Sequence, residues 1–254
     1  MSKIYNIYRR IRGISDPAVD RSMAAALPTA DARAVRLLAL LLLQRRDPDG
    51  LTGLVLNYHH LPQDIQHTIA GHTSDLFRAL RQAASRRDTQ GPANAVQIIR
   101  RSLDTRLAYL VAQQLRQPWA PLQELASQCL LEMAQRCATD PESQAAPAAD
   151  ADSAAYLQDA LADSLQAFGR FHQQQEVLLA AARMLPRPWA ELMALLADPR
   201  HPTTAAWRRM LQEAQEPAFR RAIPLMLPVA GLAEACLAAL EQCASAGTLG
   251  DVLA

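Results

Sequence analysis

Four of the six histidines, His59, His60, His67 and His72, fall within the stretch NYHHLPQDIQHTIAGHTSD. Neutral imidazoles bind metal ions and move protons near neutral pH, so such crowding raises the question of a site. On one helix, two ligands for one ion need a spacing of three or four residues, as in HExxH. His67 and His72 are five apart, which turns them roughly 140° from each other on a helix. Pro62 separates the first pair from the second. A helix-turn-helix would bring His60 near His67, but no acidic residue is placed as a partner. The histidines therefore read as polar residues at a turn between helices. His59, His60 and His67 stay as candidate binding residues, and no metal, cofactor or catalytic set is expected.

Arginine pairs are the second group with chemistry in it. They are Arg9-Arg10, Arg45-Arg46, Arg86-Arg87, Arg100-Arg101, Arg208-Arg209 and Arg220-Arg221. Clustered on one face they would suit an acidic protein segment or a nucleic-acid backbone. Neighbours on a helix point about 100° apart, and arginine at a helix C-terminus complements the dipole without any partner. Arg86, Arg87, Arg100 and Arg101 are the candidates for an anion-binding surface. There is no Gly-rich phosphate loop, GxSxG, paired-carboxylate or Cys-His arrangement to indicate catalysis.

The elements that must position these residues read as helices. Aromatics make up 5% of the chain and glycine numbers only 9, while Leu and Ala fill the apolar positions, a mix that favours helix. The stretch from Asn94 to Ala134 shows the pattern best: Ile98, Ile99 and Leu103, then Leu107, Leu110, Val111 and Leu115, then Leu122, Leu125, Cys129, Leu130 and Met133. Apolar residues every three or four positions require a buried helical face. Before it, Ile4–Ile14 suggests a short helix, and Ser15-Asp16-Pro17 a helix start. Thr29 or Asp31 starts the next, and Asp47-Pro48-Asp49-Gly50 suggests a turn. A helix over 51–60 and a long one from Ile65 to about Arg87 follow. After Ser153 the spacing predicts a long stripe broken near Gly169–Gln174, then helices near 188–197, 202–214, 216–226 and 229–244. The class is all-α.

LRQPWAPLQELA (115–126) aligns without gaps on LPRPWAELMALL (185–196), an offset of 70 residues or two periods of about 35. Such a period, the Asp-Pro turns and the block RSLDTRLAYLVAQQLRQPWAPLQELASQCLLEMA resemble the HEAT/armadillo-type helical repeat family. The resemblance covers most of the chain, less clearly 1–15 and 139–152. It implies a right-handed α-solenoid of antiparallel helix pairs that binds other macromolecules; an irregular multi-helix bundle is the alternative. HEAT-like alkylpurine DNA glycosylases show that the scaffold can also serve an enzyme acting on DNA. For that reading this chain offers only Trp119, Trp189 and Trp207, and the first and second, matched in the repeat, are expected as core packing.

Bulk properties set the remaining expectations. Residues 1–139 hold 18 basic and 11 acidic residues, against 8 and 14 in 140–254. TDPESQAAPAADAD (139–152) has no apolar periodicity and suits a solvated linker, dividing the repeats into 1–138 and 153–254. The longest apolar run, Leu37–Leu43, has seven residues, far short of the about 20 that span a bilayer. MSKIYNIYRRIRG lacks the pattern of a secretory signal, and Cys129, Cys137, Cys236 and Cys243 form no CxxC pair and are expected reduced and buried. A cytoplasmic, non-catalytic scaffolding module with a protein partner is the functional expectation, with nucleic-acid binding as the alternative.

Overall fold

A computed structural model describes residues 11, 14, 16–139, 149–184, 187–213, 217–229, 231–248 and 250–253. Among them there is no strand; one isolated bridge joins Phe168 and His172. The chain is all-helical. It divides into two compact units, residues 1–110 and 111–254.

The first unit holds α1 (Pro17–Ala26), α2 (Ala32–Arg45), α3 (Pro48–Leu56), a 3-10 turn (Tyr58–His60), α4 (Gln63–Ala70), α5 (Thr73–Ala84), α6 (Gln90–Ser102) and a second 3-10 turn (Thr105–Leu107). α7 (Ala108–Gln114) crosses the division. Aspartates start the helices. Asp16 accepts from the Ala18 amide, Asp31 from Arg33 and Ala34, and Asp47 from Asp49 and Gly50. Pro17 and Pro48 follow two of these caps at the first helical position, where a missing N–H costs nothing. The DPDG stretch is therefore the first turn of α3 rather than a free-standing turn.

The expected single helix from Ile65 to Arg87 is two helices, broken at Gly71-His72. The apolar stripe conceals the break. Ile69 and Leu76 are seven residues apart, about two helical turns, so the period continues across it.

α1 and α3 approach unusually closely. A Cβ on Gly53 would stand 2.3 Å from the Ala24 Cβ, and one on Gly50 would stand 2.9 Å from the Asp20 Cβ. Beside this crossing the Arg45 guanidinium grips Asp20 through two bonds of 2.6 Å, and its third nitrogen donates to the Ile11 carbonyl at 3.1 Å. Asp20 is 1% exposed. Removing one partner of such a buried pair strands the other's charge, at a cost of about 3–5 kcal/mol. Around it α1 packs on α2 and α3, α2 on α3 and α4, α3 on α5 and α6, and both α4 and α5 on α6.

The second unit holds α8 (Ala120–Thr139), α9 (Ala149–Ala167), α10 (Gln175–Arg183), α11 (Arg187–Leu196), α12 (Pro202–Glu213), α13 (Pro217–Met226), α14 (Ala233–Ser245) and α15 (Gly250–Leu253). α8 packs on α9 and α10, α9 on α10 and α11, α10 on α11 and α13, α11 on α12, α12 on α14, and α13 on α14 and α15. The expected linker 139–152 lies outside the described residues from 140 to 148. Helix α9 opens at Ala149, four residues before Ser153. The break expected near 169–174 is present, closed by Gly169 at φ +80°. In the matched repeat segments, Ala120 opens α8 while Ala190 is the fourth residue of α11.

Cys129, Cys236 and Cys243 are buried, and burial pushes the Cys236 thiol up to about 11. Cys137 departs from the expectation and is only half-buried. Eight residues beyond Cys129, it has rotated about 80° off the buried face of α8. A thiol reagent added to native protein should label Cys137 first, and Cys137→Ser should remove the fast phase. Equal labelling of all four would contradict the core described.

Candidate functional site

α6 carries a polar stripe through an otherwise apolar face. Gln90, Asn94 and Arg101 lie four and seven residues apart, the spacings that share one side of a helix. Asn94 is wholly buried. Its amide donates to the Val55 and Leu56 carbonyls at 3.1 and 2.8 Å and stands 3.0 Å from His59 Nδ1. Its carbonyl accepts from the Gln90 amide at 2.8 Å. The last carbonyls of a helix have no partner within it; here a neighbouring helix supplies one to α3.

The 3-10 turn that follows α3 is thereby fixed. Tyr58 is 1% exposed. Gln66 of α4 donates to the Tyr58 carbonyl at 3.1 Å. Burial raises the Tyr58 hydroxyl above its usual range, and the Arg101 guanidinium beside it pulls the other way. His59 and His60 project outward from the same turn, their ring centroids 3.9 Å apart. Burial, then the neighbouring His60, hold His59 below the usual imidazole value, against the Asn94 contact that raises it. His59 thus favours the neutral ring at pH 7.

Of the seven candidate residues, the structure brings His59, His60 and Arg101 to this junction. His67 is exposed on α4. Among the described residues no group of three or more His, Cys, Asp or Glu could hold a metal ion. Arg86 and Arg87 lie at the opposite end of α6, about 20 Å from its last turn for a helix of this length. Arg86 donates to Asp88, whose other oxygen caps the Gly91 amide at 2.7 Å. Arg100 is half-buried, and Arg87 and Arg101 are exposed. The two arginine pairs therefore do not form one cluster.

Sequence reasoning missed Tyr58, Gln66, Gln90 and Asn94. Only Asn94 gave a signal, an asparagine directly before the apolar run AVQII (95–99), where it is a poor helix former. Trp119 also departs from the expectation of core packing. Trp119 is half-exposed, its carbonyl accepting the Leu122 and Gln123 amides ahead of α8. The Trp189 side chain lies outside what is described. Trp207 is fully buried with its indole N–H directed at Met226 Sδ.

No helix among the described residues is long and apolar enough to cross a membrane. No protein-family model, curated protein or solved structure matches the chain.

Asn94→Leu should destabilise the protein by about 1–3 kcal/mol in chemical denaturation, since it leaves buried carbonyls unpaired. Gln90→Ala, removing one bond at an exposed position, should cost less. Because the His59 value is depressed by folding, its contribution is complete above the ordinary imidazole value of about 6.5 and declines as pH falls below it. A stability loss on acidification that is identical in wild type and His59→Gln would contradict the placement of this ring.

Proposed function

We propose that the chain is a non-catalytic, HEAT-like helical binding module whose first unit engages an acidic segment of a partner protein. The observation that carries this reading is a charge division that follows the structural one. Residues 1–110 hold 16 basic and 9 acidic residues, net +7, and residues 111–254 hold 10 and 16, net −6. Counted at 139 from sequence, the imbalance is the same; the compact units separate charge as cleanly as composition does.

The packing supports the HEAT-like part of the proposal. Within each unit, the packed helices lie no more than three places apart in the chain, the near-neighbour pattern of stacked helix pairs. Ion pairs recur at nearly constant offsets of 28, 28 and 29 residues: Arg21 with Asp49, Arg36 with Asp64 and Arg46 with Asp75. Such exposed pairs contribute only about 0–1 kcal/mol each, so they mark register more than stability.

Binding falls to arginines at the two ends of α6, with His60 in the 3-10 turn whose Tyr58 faces Arg101. An extended peptide of about six residues spans roughly 20 Å, enough to reach from one end to the other. Arg86 is already committed to Asp88 and is left out of the contact set.

The test uses an oligoglutamate peptide and the full chain. Its affinity should fall several-fold between about 0.05 and 0.3 M salt, because the Debye length contracts to about 8 Å at 0.15 M. Arg87→Glu and Arg101→Glu should each weaken it with helicity unchanged by circular dichroism. Tighter binding of a single-stranded oligonucleotide than of the peptide would favour the nucleic-acid reading. Salt-independent binding, or binding indifferent to both reversals, would refute the proposal.

A further inference from the structure

His172 sits in the turn between α9 and α10 and is 4% exposed. Both ring nitrogens are engaged. Nε2 lies 3.0 Å from the Ser164 carbonyl, and Nδ1 accepts the Gln174 amide at 3.3 Å. Only the neutral tautomer with its proton on Nε2 satisfies both. Each partner is a helix-end group. Ser164 is in the last turn of α9, where the Phe168 amide turns to the Leu165 carbonyl instead, and Gln174 is the N-cap of α10 with no side-chain cap of its own. One imidazole thus bridges two helix ends that otherwise lack partners.

The turn is held on every side. The Gly169 amide donates to the His172 carbonyl at 2.8 Å, and the Phe171 amide to the Ala167 carbonyl at 3.0 Å. A Cβ at Gly169 would meet Pro202 Cγ at 2.7 Å. The Phe168 ring stands edge-on to the imidazole, centroids 5.4 Å apart. Gln123 of α8 donates to the Phe171 carbonyl at 2.9 Å. The turn presents Phe171, 41% exposed, with the Arg170 and Arg116 guanidiniums 5.0 and 5.8 Å from its ring centroid.

We propose that His172 is an acid-sensitive latch, its neutral ring holding the α9–α10 turn closed and its protonation releasing that turn together with the Phe171–Arg170 surface. The inference concerns the second unit and stands apart from the binding reading of the first. Protonation places a second N–H on Nδ1, facing the Gln174 N–H, so two donors oppose each other where a bond had been. The ring must then leave, freeing the Ser164 carbonyl and the Gln174 amide. On the surrounding elements, the charged and titratable groups at the ends nearest the turn are Arg116, Asp163 on α9, Arg170 in the turn, Glu176 on α10, Glu124 on α8 and His201 before α12; Asp159, Glu132, Arg136 and Arg183 stand farther along α9, α8 and α10. Arg116 is partly neutralised by Asp163, with which it pairs. Burial, first, and Arg116 lower the imidazole below its usual range, against the Ser164 bond that raises it. The sign follows: the closed turn is fully stable above about pH 6.5 and weakens as pH falls below it.

Amide hydrogen exchange, corrected for the intrinsic pH dependence of exchange, tests the latch at Gly169 and Phe171. Between pH 7.5 and 5, protection at both should fall at least about threefold relative to the Leu122 amide. His172→Gln, whose amide can donate and accept in the same places without titrating, should abolish the drop. Should that variant misfold, Gln174→Pro removes the opposing N–H at a residue whose φ of −73° suits proline, and it should shrink the drop. Unchanged protection in the wild type, or a wild-type response in both variants, would overturn the proposal.

Discussion

Short helices have many ends, and every end leaves backbone groups with no partner inside the helix. That constraint governs this protein. Asp16, Asp31 and Asp47 satisfy the starts of α1, α2 and α3, and Asp88 serves α6. Where no cap is adjacent, a side chain reaches in from elsewhere. Asn94 crosses from α6 to the end of α3, and His172 spans the end of α9 and the start of α10. Local caps are worth about 1 kcal/mol each. The distant ones matter differently, because they tie one helix end to another element and so fix how helices meet.

This division explains what was legible beforehand. Caps lie next to the helices they start, so Asp16-Pro17 could be read directly, and Asp31 was one of two candidates beside Thr29. Apolar spacing revealed the all-helical class and most helix positions beyond 153. It failed at Gly71, where two helices keep phase across their junction, and at DPDG, where turn-forming residues form a first helical turn. The Asn94 and His172 contacts were not legible, since they join residues 35–39 positions apart or depend on which ring nitrogen faces which backbone group. Close approach was hidden too. Nothing beside Gly53 in the sequence says that Ala24 will lie against it.

Of the candidate site, the sequence supplied residue types but not their grouping. His59, His60 and Arg101 come to one junction because Asn94 of α6 contacts His59 and Arg101 of α6 lies beside Tyr58 in the turn between α3 and α4. Arg86 and Arg87 are separated from them by the length of that helix. The feature that survives the change from sequence to structure is charge, whose imbalance is the same at the boundary of the compact units as at residue 139.

Cross-linking of a bound oligoglutamate peptide to the intact chain, with the sites located by mass spectrometry, tests most directly whether that charge division serves binding. Cross-links confined to residues 1–110, concentrated near 59–67 and 86–101, are the predicted result. Cross-links concentrated in 111–254, or spread evenly over both units, would contradict it.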